Sequence, residues 1–259
     1  MNSEINKNVQ MKHTDLDSPE TTIRHGQIIK NKKFLKKIYI DFYEQFKEIY
    51  TSRPNGKFLE IGSGAGFVKE LYPNMITSDV LFLPNNDLIF SAMEMPFKNS
   101  IIDGIFMLDT FHHIPDVSLF LKEVMRILKP GGRMVMIEPA NTLWSRFVFK
   151  NFHHEDFEET AGWTLPSGGP LSVANSALPW IVFYRDNQKF EEDFPELVIK
   201  QLYNHTPFRY LISGGVSYPQ FAPDFLYGFI KFIEQLLSPI NKYLGMFLTV
   251  ELEKKEGIR

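Results

Sequence analysis

The most chemically informative feature of this 259-residue sequence is an acidic residue followed by three alternating glycines, reading FLEIGSGAGF over residues 58–67. Glycines at this spacing let the backbone turn sharply and approach a ligand closely. A dinucleotide loop requires the spacing G-x-G-x-x-G, but Phe67 stands where its third glycine would be. Glu60 would repel a pyrophosphate and attract a cation. The loop is therefore predicted to bind a ligand that carries positive charge.

Short apolar runs alternate with helical stretches on both sides of this loop. A helix is predicted over 116–128, where apolar residues recur every three or four positions. Strands are predicted over 57–61, 75–80, 87–91, 102–108, 133–137, 197–203 and 247–252. Strands that alternate with helices in this way indicate a parallel sheet covered on both faces.

Several segments between residues 57 and 138 resemble, in order and spacing, class I S-adenosylmethionine-dependent methyltransferases of the type 11 kind. Residues 60–66 are similar to the first motif of that family, and Asp79 stands where the family has an acidic residue that grips the ribose. Further similar segments are SAMEMPF at 91–97, DGIFMLDTFHH at 103–113 and LKPGG at 128–132.

The resemblance implies a Rossmann-like, doubly wound α/β sheet of seven strands, the last two forming an antiparallel edge. On this interpretation residues 1–22 are a disordered arm and 23–52 form a helical N-terminal cap. The methyltransferase domain then spans 53–259, with an inserted lid segment at about 142–185.

The implied cofactor is S-adenosylmethionine, with S-adenosylhomocysteine as product. Glu60 would favour the ammonium group, and Asp79 would accept from both ribose hydroxyls. The cofactor-binding residues implied are Glu60, Gly62, Ser63, Gly64, Gly66, Asp79, Ala92, Met93 and Leu108. Methyl transfer is an in-line displacement that mainly requires proximity and alignment of the acceptor atom.

Candidate acceptor-side residues follow the fourth and fifth predicted strands, where ligands bind in such folds. His112 and His113 either supply a general base or pack at a helix start. Asp109 either contacts a ligand or caps a helix. Trp144, Arg146 and His153 are candidate substrate-wall residues.

No metal site is expected from the run HHED at 153–156, because adjacent residues point in different directions and the spacing fits no zinc pattern. The net charge of -3 argues against a nucleic-acid-binding surface. The absence of cysteine excludes disulfides and thiolate chemistry. The polar N-terminus and the interrupted apolar stretch at 225–250 indicate a soluble, cytoplasmic protein.

The expected partner is a small-molecule acceptor, and the many aromatic residues favour an apolar or amphipathic one. Alternatives from other classes remain open, namely a non-catalytic S-adenosylmethionine-binding protein and an NAD-dependent oxidoreductase. Peripheral membrane or lipid contact is a further hypothesis. It depends on an apolar helical face at 225–237 and on a basic run that comprises Lys30, Lys32, Lys33, Lys36 and Lys37. The apolar face also fits a helix that packs on the sheet. The basic run also fits a solvated helix face.

Overall fold

The computed structural model describes residues 16–153 and 155–256, and seven strands of this part of the chain form one sheet. The strands are β1 (Phe58–Ile61), β2 (Met75–Asp79), β3 (Leu88–Ile89), β4 (Ile102–Leu108), β5 (Leu128–Pro139), β6 (Leu197–His205) and β7 (Phe247–Lys254). Their order is β3-β2-β1-β4-β5-β7-β6. Strands β1 to β5 are parallel, and β7 lies antiparallel between β5 and β6. The predicted Rossmann-like α/β sheet with an antiparallel edge is therefore confirmed.

Helices connect and cover these strands. The α-helices of the described residues are α1 (Pro19–Asn31), α2 (Lys33–Tyr43), α3 (Lys47–Ser52), α4 (Val68–Leu71), α5 (Val117–Ile127), α6 (Leu143–Phe152), α7 (Leu178–Trp180), α8 (Asn187–Asp193), α9 (Arg209–Ser213), α10 (Tyr227–Leu236) and α11 (Asn241–Leu244). Within the described ranges, none of them combines the length and apolar character that a membrane crossing requires.

The N-terminal helix starts earlier than the sequence predicted. Helix α1 begins at Pro19, and the Ser18 hydroxyl caps it by accepting from the Thr21 N–H at 3.2 Å. A serine cap followed by proline is a helix-start signal that the polar composition obscured. Residues 16–22 are therefore not part of a disordered arm, while residues 1–15 lie outside the described part of the chain.

Helix α2 joins the predicted N-terminal cap to the sheet through aromatic side chains. Phe34, Ile38 and Phe42 are buried on one side of this helix. The Phe42 ring lies 4.9 Å from that of Phe247 on β7, measured between centroids. Burying such side chains stabilises the fold by roughly 1.5–3 kcal/mol each. The cap is consequently a packed layer of the domain.

The segment predicted as an insertion runs from α6 through irregular chain to α7. It is attached by backbone hydrogen bonds to the turn that follows β4. The Asn175 N–H donates to the His112 carbonyl at 2.9 Å, and the Leu165 N–H donates to the Pro115 carbonyl at 2.9 Å. These bonds hold the segment beside the carboxyl end of β4, where the candidate acceptor residues lie.

Candidate functional site

The glycine-rich loop leaves the carboxyl end of β1 in a conformation that two of its glycines make accessible. Gly62 and Gly64 have φ of 69° and 53°. A Cβ at Gly62 would lie 2.2 Å from Thr110 Cγ2, so a side chain there would also clash. Both facts explain why glycine is needed at this turn. The loop can therefore lie directly against a ligand and against the turn after β4.

Glu60 points its carboxyl group into this region from the interior of β1. The side chain is buried, and Oε2 has no hydrogen-bond partner among the described residues. Burial raises the pKa of Glu60 to about 8, an effect that the hydroxyls of Ser63 and Tyr43 only partly oppose. A buried carboxyl oxygen without a partner is costly, and a cationic donor would relieve that cost.

Asp79 ends β2 and faces the same loop. Its Oδ2 accepts from the Gly64 N–H at 2.9 Å, and its Oδ1 accepts from the Leu81 N–H at 2.9 Å. Burial raises the pKa of Asp79, and these backbone donors oppose that shift. Each carboxylate oxygen has a further lone pair, so the group is held in place and can still accept from two hydroxyls.

These residues fit S-adenosylmethionine. Glu60 Oε2 could accept from the ammonium group, and the free lone pairs of Asp79 could accept from a pair of ribose hydroxyls. The loop and both carboxylates line one cavity of about 340 Å³. All nine residues predicted to bind the cofactor border it, which are Glu60, Gly62, Ser63, Gly64, Gly66, Asp79, Ala92, Met93 and Leu108.

Three of the predicted acceptor-side residues border the same cavity, namely Asp109, His113 and His153. Asp109 follows β4 directly and has a φ of 55°, which is unusual for a residue with a side chain. The side chain is exposed to the cavity, and desolvation by the protein around it raises its pKa to about 6, although the charge of His112 opposes that shift. Asp109 therefore presents a carboxyl group to the cavity at the end of β4.

His112 lies behind the cavity wall instead of bordering it. Its Nδ1 is 2.7 Å from Glu138 Oε2, and its Nε2 is 3.2 Å from Glu155 Oε2. Burial alone would lower the pKa of His112, but the two carboxylates outweigh it and raise the pKa well above its usual value. This ring is held as a cation between two anions. The catalytic role of His112 stays a prediction, and its ring does not border the cavity.

Glu138 fixes the turn from which these histidines project. One of its oxygens accepts from the Thr110 and Phe111 N–H groups at 2.9 and 2.7 Å, while the other contacts the His112 ring. Glu138 itself is fully buried at the end of β5. The carboxylate thus connects two neighbouring strand ends and sets the direction of Asp109 and His113.

His112, His113 and Glu155 bring one potential ligand atom each within 4.8 Å of one another. Glu155 lies between the two rings, with Oε2 3.2 Å from His112 Nε2 and Oε1 3.5 Å from His113 Nε2. His112 and His113 hold the pKa of Glu155 well below its usual range, against the effect of burial. Glu155 belongs to the run at 153–156, from which no metal site was expected. His154 of that run lies outside the described residues.

Trp144 and Arg146 do not border the cavity, which corrects their prediction as substrate-wall residues. The Trp144 Nε1–H donates to the Pro207 carbonyl at 3.0 Å. Arg146 pairs with Glu159 at 3.0 Å. Both project from α6, whose direction on leaving β5 could not be read from the sequence.

Several residues that complete the cavity were not predicted from the sequence. Tyr39 and Tyr43 come from α2, and Tyr210 comes from α9. Tyr39 and Tyr43 were visible only as members of an apolar helical pattern. Tyr210 carried no signal, because nothing local indicates that α9 returns to the carboxyl end of the sheet.

Comparison with known proteins gives the same family for the central segment. Residues 59–136 match the methyltransferase-domain family. The demethylmenaquinone methyltransferase of Symbiobacterium thermophilum is 26% identical over 172 residues, covering 63% of this chain and 65% of that protein. The sterol 4-C-methyltransferase of Caenorhabditis elegans is 26% identical over 153 residues, covering 57% of this chain and 43% of that protein. The chain thus spans less than two thirds of the length of either relative.

A solved structure supports the fold. Geranyl diphosphate C-methyltransferase from Streptomyces coelicolor A3(2), in complex with Mg²⁺, geranyl diphosphate and S-adenosyl-L-homocysteine, has a TM-score of 0.51 at 13% identity. The match covers 85% of this chain and 82% of that one. Residues 59–136 thus match a methyltransferase domain, and the likeness to the solved structure shows that the chain has the same fold.

Proposed function

We propose that this protein transfers the methyl group of S-adenosylmethionine to a small apolar or amphipathic acceptor. The composition of the cavity beyond the cofactor loop carries the proposal. Its lining outside the cofactor loop includes the apolar or aromatic side chains Ile29, Tyr39, Ile114, Leu171, Tyr210 and Val216. Such walls favour apolar ligands, while a few polar groups orient them. The relatives named for demethylmenaquinone and sterol methylation agree with this acceptor class.

Bound S-adenosylmethionine would supply an electrophilic methyl group on its sulfonium. The chain provides binding and orientation. Glu60 receives the ammonium end, Asp79 receives the ribose, and the loop at 62–66 lies between them. These contacts fix the position from which the acceptor must be approached in line.

Asp109 and His113 follow β4 and border the acceptor side of the cavity. Asp109, with its pKa near 6, is ionised above that pH and can then accept a proton from an acceptor hydroxyl or enol. The His113 ring is held by Nδ1 at 3.1 Å from the Val173 carbonyl oxygen and by Nε2 at 3.5 Å from Glu155 Oε1. We assign Asp109 as the base and His113 as the group that orients the acceptor.

The N-terminal helix and the inserted segment cover this cavity together. Asp17 Oδ1 accepts from the Leu171 and Ser172 N–H groups at 2.7 and 2.9 Å. Helix α1 also lies close to the loop, since a Cβ on Gly26 would approach the Ala65 carbonyl oxygen to 2.4 Å. A cover of this kind excludes water from the reacting atoms.

The absence of cysteine supports the further proposal that the protein works in the cytoplasm.

A turnover screen tests the proposal. The protein is mixed with S-adenosylmethionine and one acceptor at a time, and release of S-adenosylhomocysteine is measured. Quinols, sterols, long-chain phenols and prenyl diphosphates form the apolar and amphipathic set, and small polar amines and acids form the comparison set. We expect turnover only in the first set. Turnover only with the polar set would contradict the proposed acceptor class.

Calorimetry on the same preparation separates the alternatives. Binding of S-adenosylmethionine without turnover on any acceptor would favour a non-catalytic binding protein. Binding of a nicotinamide dinucleotide in its place would favour the oxidoreductase.

For the role of Asp109, Asp109→Asn should reduce turnover by about 10²–10⁴-fold and leave cofactor affinity unchanged. Asp116→Asn is the matched control, because Asp116 only caps α5 by accepting from the Leu119 N–H.

A further inference from the structure

Helix α10 exposes its apolar face to solvent. Phe225, Phe229, Phe232 and Leu236 recur at intervals of three and four residues, and their exposed fractions are 81%, 62%, 54% and 62%. Such spacing places them on one side of the helix and of the turn before it. A helix packed on the sheet would bury this stripe. The apolar stripe here faces away from the protein.

The opposite face of α10 is polar and turned inward. Glu234 is buried and accepts from the Phe208 and Arg209 N–H groups at 2.8 and 2.7 Å, and it also pairs with the Arg209 side chain. Lys231 pairs with Asp41 at 2.8 Å, and the Tyr227 hydroxyl donates to Asp41 at 2.6 Å. Rotating the helix to bury its phenylalanines would break all of these contacts. The ion network therefore holds the apolar face outward.

The exposed apolar face extends onto neighbouring elements. Tyr218 and Phe221 precede α10 and are exposed. Ile240 and Tyr243 follow it and are also exposed, and α11 packs against α6. Helix α6 adds the exposed side chains Leu143, Phe147 and Phe152. We call these exposed side chains the aromatic surface, which comprises Tyr218, Phe221, Phe225, Phe229, Phe232, Leu236, Ile240 and Tyr243 with Leu143, Phe147 and Phe152 of α6. An exposed apolar patch of this extent marks an interaction site.

The charges around the aromatic surface identify what it fits. The exposed lysines Lys33 and Lys37 lie on α2, and the Lys37 Nζ is 5.3 Å from the centre of the Tyr227 ring. Lys242 lies beside Tyr243, with its Nζ 4.9 Å from that ring. The neighbouring acids Asp41 and Glu234 are paired with Lys231 and Arg209, and Asp224, next to Phe225, accepts from the Gln220 Nε2 at 3.0 Å. Lysines surrounding exposed aromatic side chains are complementary to anionic headgroups above an apolar layer.

The aromatic surface also adjoins the cavity. Lys32 at the end of α1 donates to the Gly215 carbonyl at 2.7 Å and also to the Tyr218 carbonyl, which ties the covering helix to the edge of this surface. Tyr210 and Val216, a few residues earlier in the chain, border the cavity. The stretch 210–218 therefore borders the cavity at Tyr210 and Val216 and reaches the aromatic surface at Tyr218.

From this geometry we infer that the aromatic surface docks the protein onto an anionic lipid bilayer, with the phenylalanines of α10 inserted and the lysines of α2 at the headgroups. Docking itself does not depend on methyl transfer. Delivery of an apolar acceptor through the α9 edge rests on the proposed function.

Vesicle sedimentation tests the inference. The full chain is mixed with vesicles of phosphatidylcholine alone or of phosphatidylcholine with phosphatidylglycerol. We expect strong partition onto the anionic vesicles and weak partition onto the neutral ones. Phe225→Ser/Phe229→Ser should reduce the partition coefficient at least tenfold. Lys33→Gln/Lys37→Gln should reduce it by about fivefold per lysine at low salt.

The matched control is Phe82→Ser/Leu119→Ser, which removes two exposed apolar side chains outside the aromatic surface. This variant should partition as the wild type does. Equal binding of wild type to neutral and anionic vesicles, no binding to either, or equal losses in the control and α10 variants would each overturn the inference. A dimer that Phe225→Ser/Phe229→Ser dissociates would also overturn it. Cofactor calorimetry on the same samples reports the proposed function independently.

Discussion

The two ends of the cavity are built in different ways. The cofactor end consists of Glu60, the loop at 62–66 and Asp79, which lie within twenty residues of one another and follow two adjacent strands. The acceptor end draws Asp109 and His113 from the turn after β4, Glu155 from the inserted segment and Tyr210 from α9. The first depends on local backbone geometry. The second depends on buried ion pairs and long-range packing, so a single change there should disturb more of the structure.

The largest expected effect concerns the acceptor end. Glu138→Ala removes the carboxylate that holds the turn after β4. The buried N–H groups of Thr110 and Phe111 then lose their acceptor, and the charged His112 ring loses one of its two anionic partners. The free energy of unfolding should fall by about 3–5 kcal/mol. Chemical denaturation measures this change. Glu159→Ala, which breaks two partly exposed ion pairs, should change it by no more than about 1 kcal/mol. Equal losses would mean that the buried network does not hold the acceptor end.

The cofactor end should respond in affinity instead of stability. Asp79→Asn removes a charged acceptor, so S-adenosylmethionine should bind about 10–100-fold more weakly by calorimetry. Asp87→Asn is the matched control, because Asp87 also accepts from a backbone N–H at 2.9 Å but pairs with Lys69 outside the cavity. A similar loss in both variants would indicate a general effect on the β2 region.

Cofactor affinity should also depend on pH through Glu60. With a pKa of about 8 in the free protein, Glu60 is protonated at lower pH and must lose that proton to pair with an ammonium group. The dissociation constant should therefore fall about tenfold for each unit of pH from roughly 6 to 8, and level off above that. Glu60→Gln should abolish this slope. A slope that survives the substitution would assign the titration to another group.

The smallest effect is expected at Trp144 and Arg146, which were predicted to line the substrate wall but do not border the cavity. Trp144→Phe and Arg146→Gln should leave the KM of an acceptor found in the screen within about twofold of wild type. Tyr210→Ala, at the cavity wall, should raise that KM by about tenfold. Initial-rate kinetics distinguish these outcomes. A large effect of Arg146→Gln would mean that the acceptor extends beyond the cavity along α6.

Much of the fold could be predicted because apolar periodicity determines each element locally. The strands β1, β2, β4, β6 and β7 and the helix α5 were predicted to within a few residues. Strand β5 extends further back than predicted, because Leu128 pairs with Ile102 and the register then shifts before Arg133 pairs with Gly104. The start of α1 at Pro19 was missed since a capping signal was outweighed by polar residues.

The sequence by itself determined the sheet, the loop and the two carboxylates that face it, because each follows from a short run of residues at the end of a strand. The tertiary structure decided the rest. It placed His112 between two carboxylates instead of in the cavity and brought Tyr210 to the acceptor. It also turned the apolar face of α10 outward, because the buried pairing of Glu234 with Arg209 opposes the rotation that would bury it. Such orientations depend on partners more than twenty residues away in the chain, and local periodicity does not predict them.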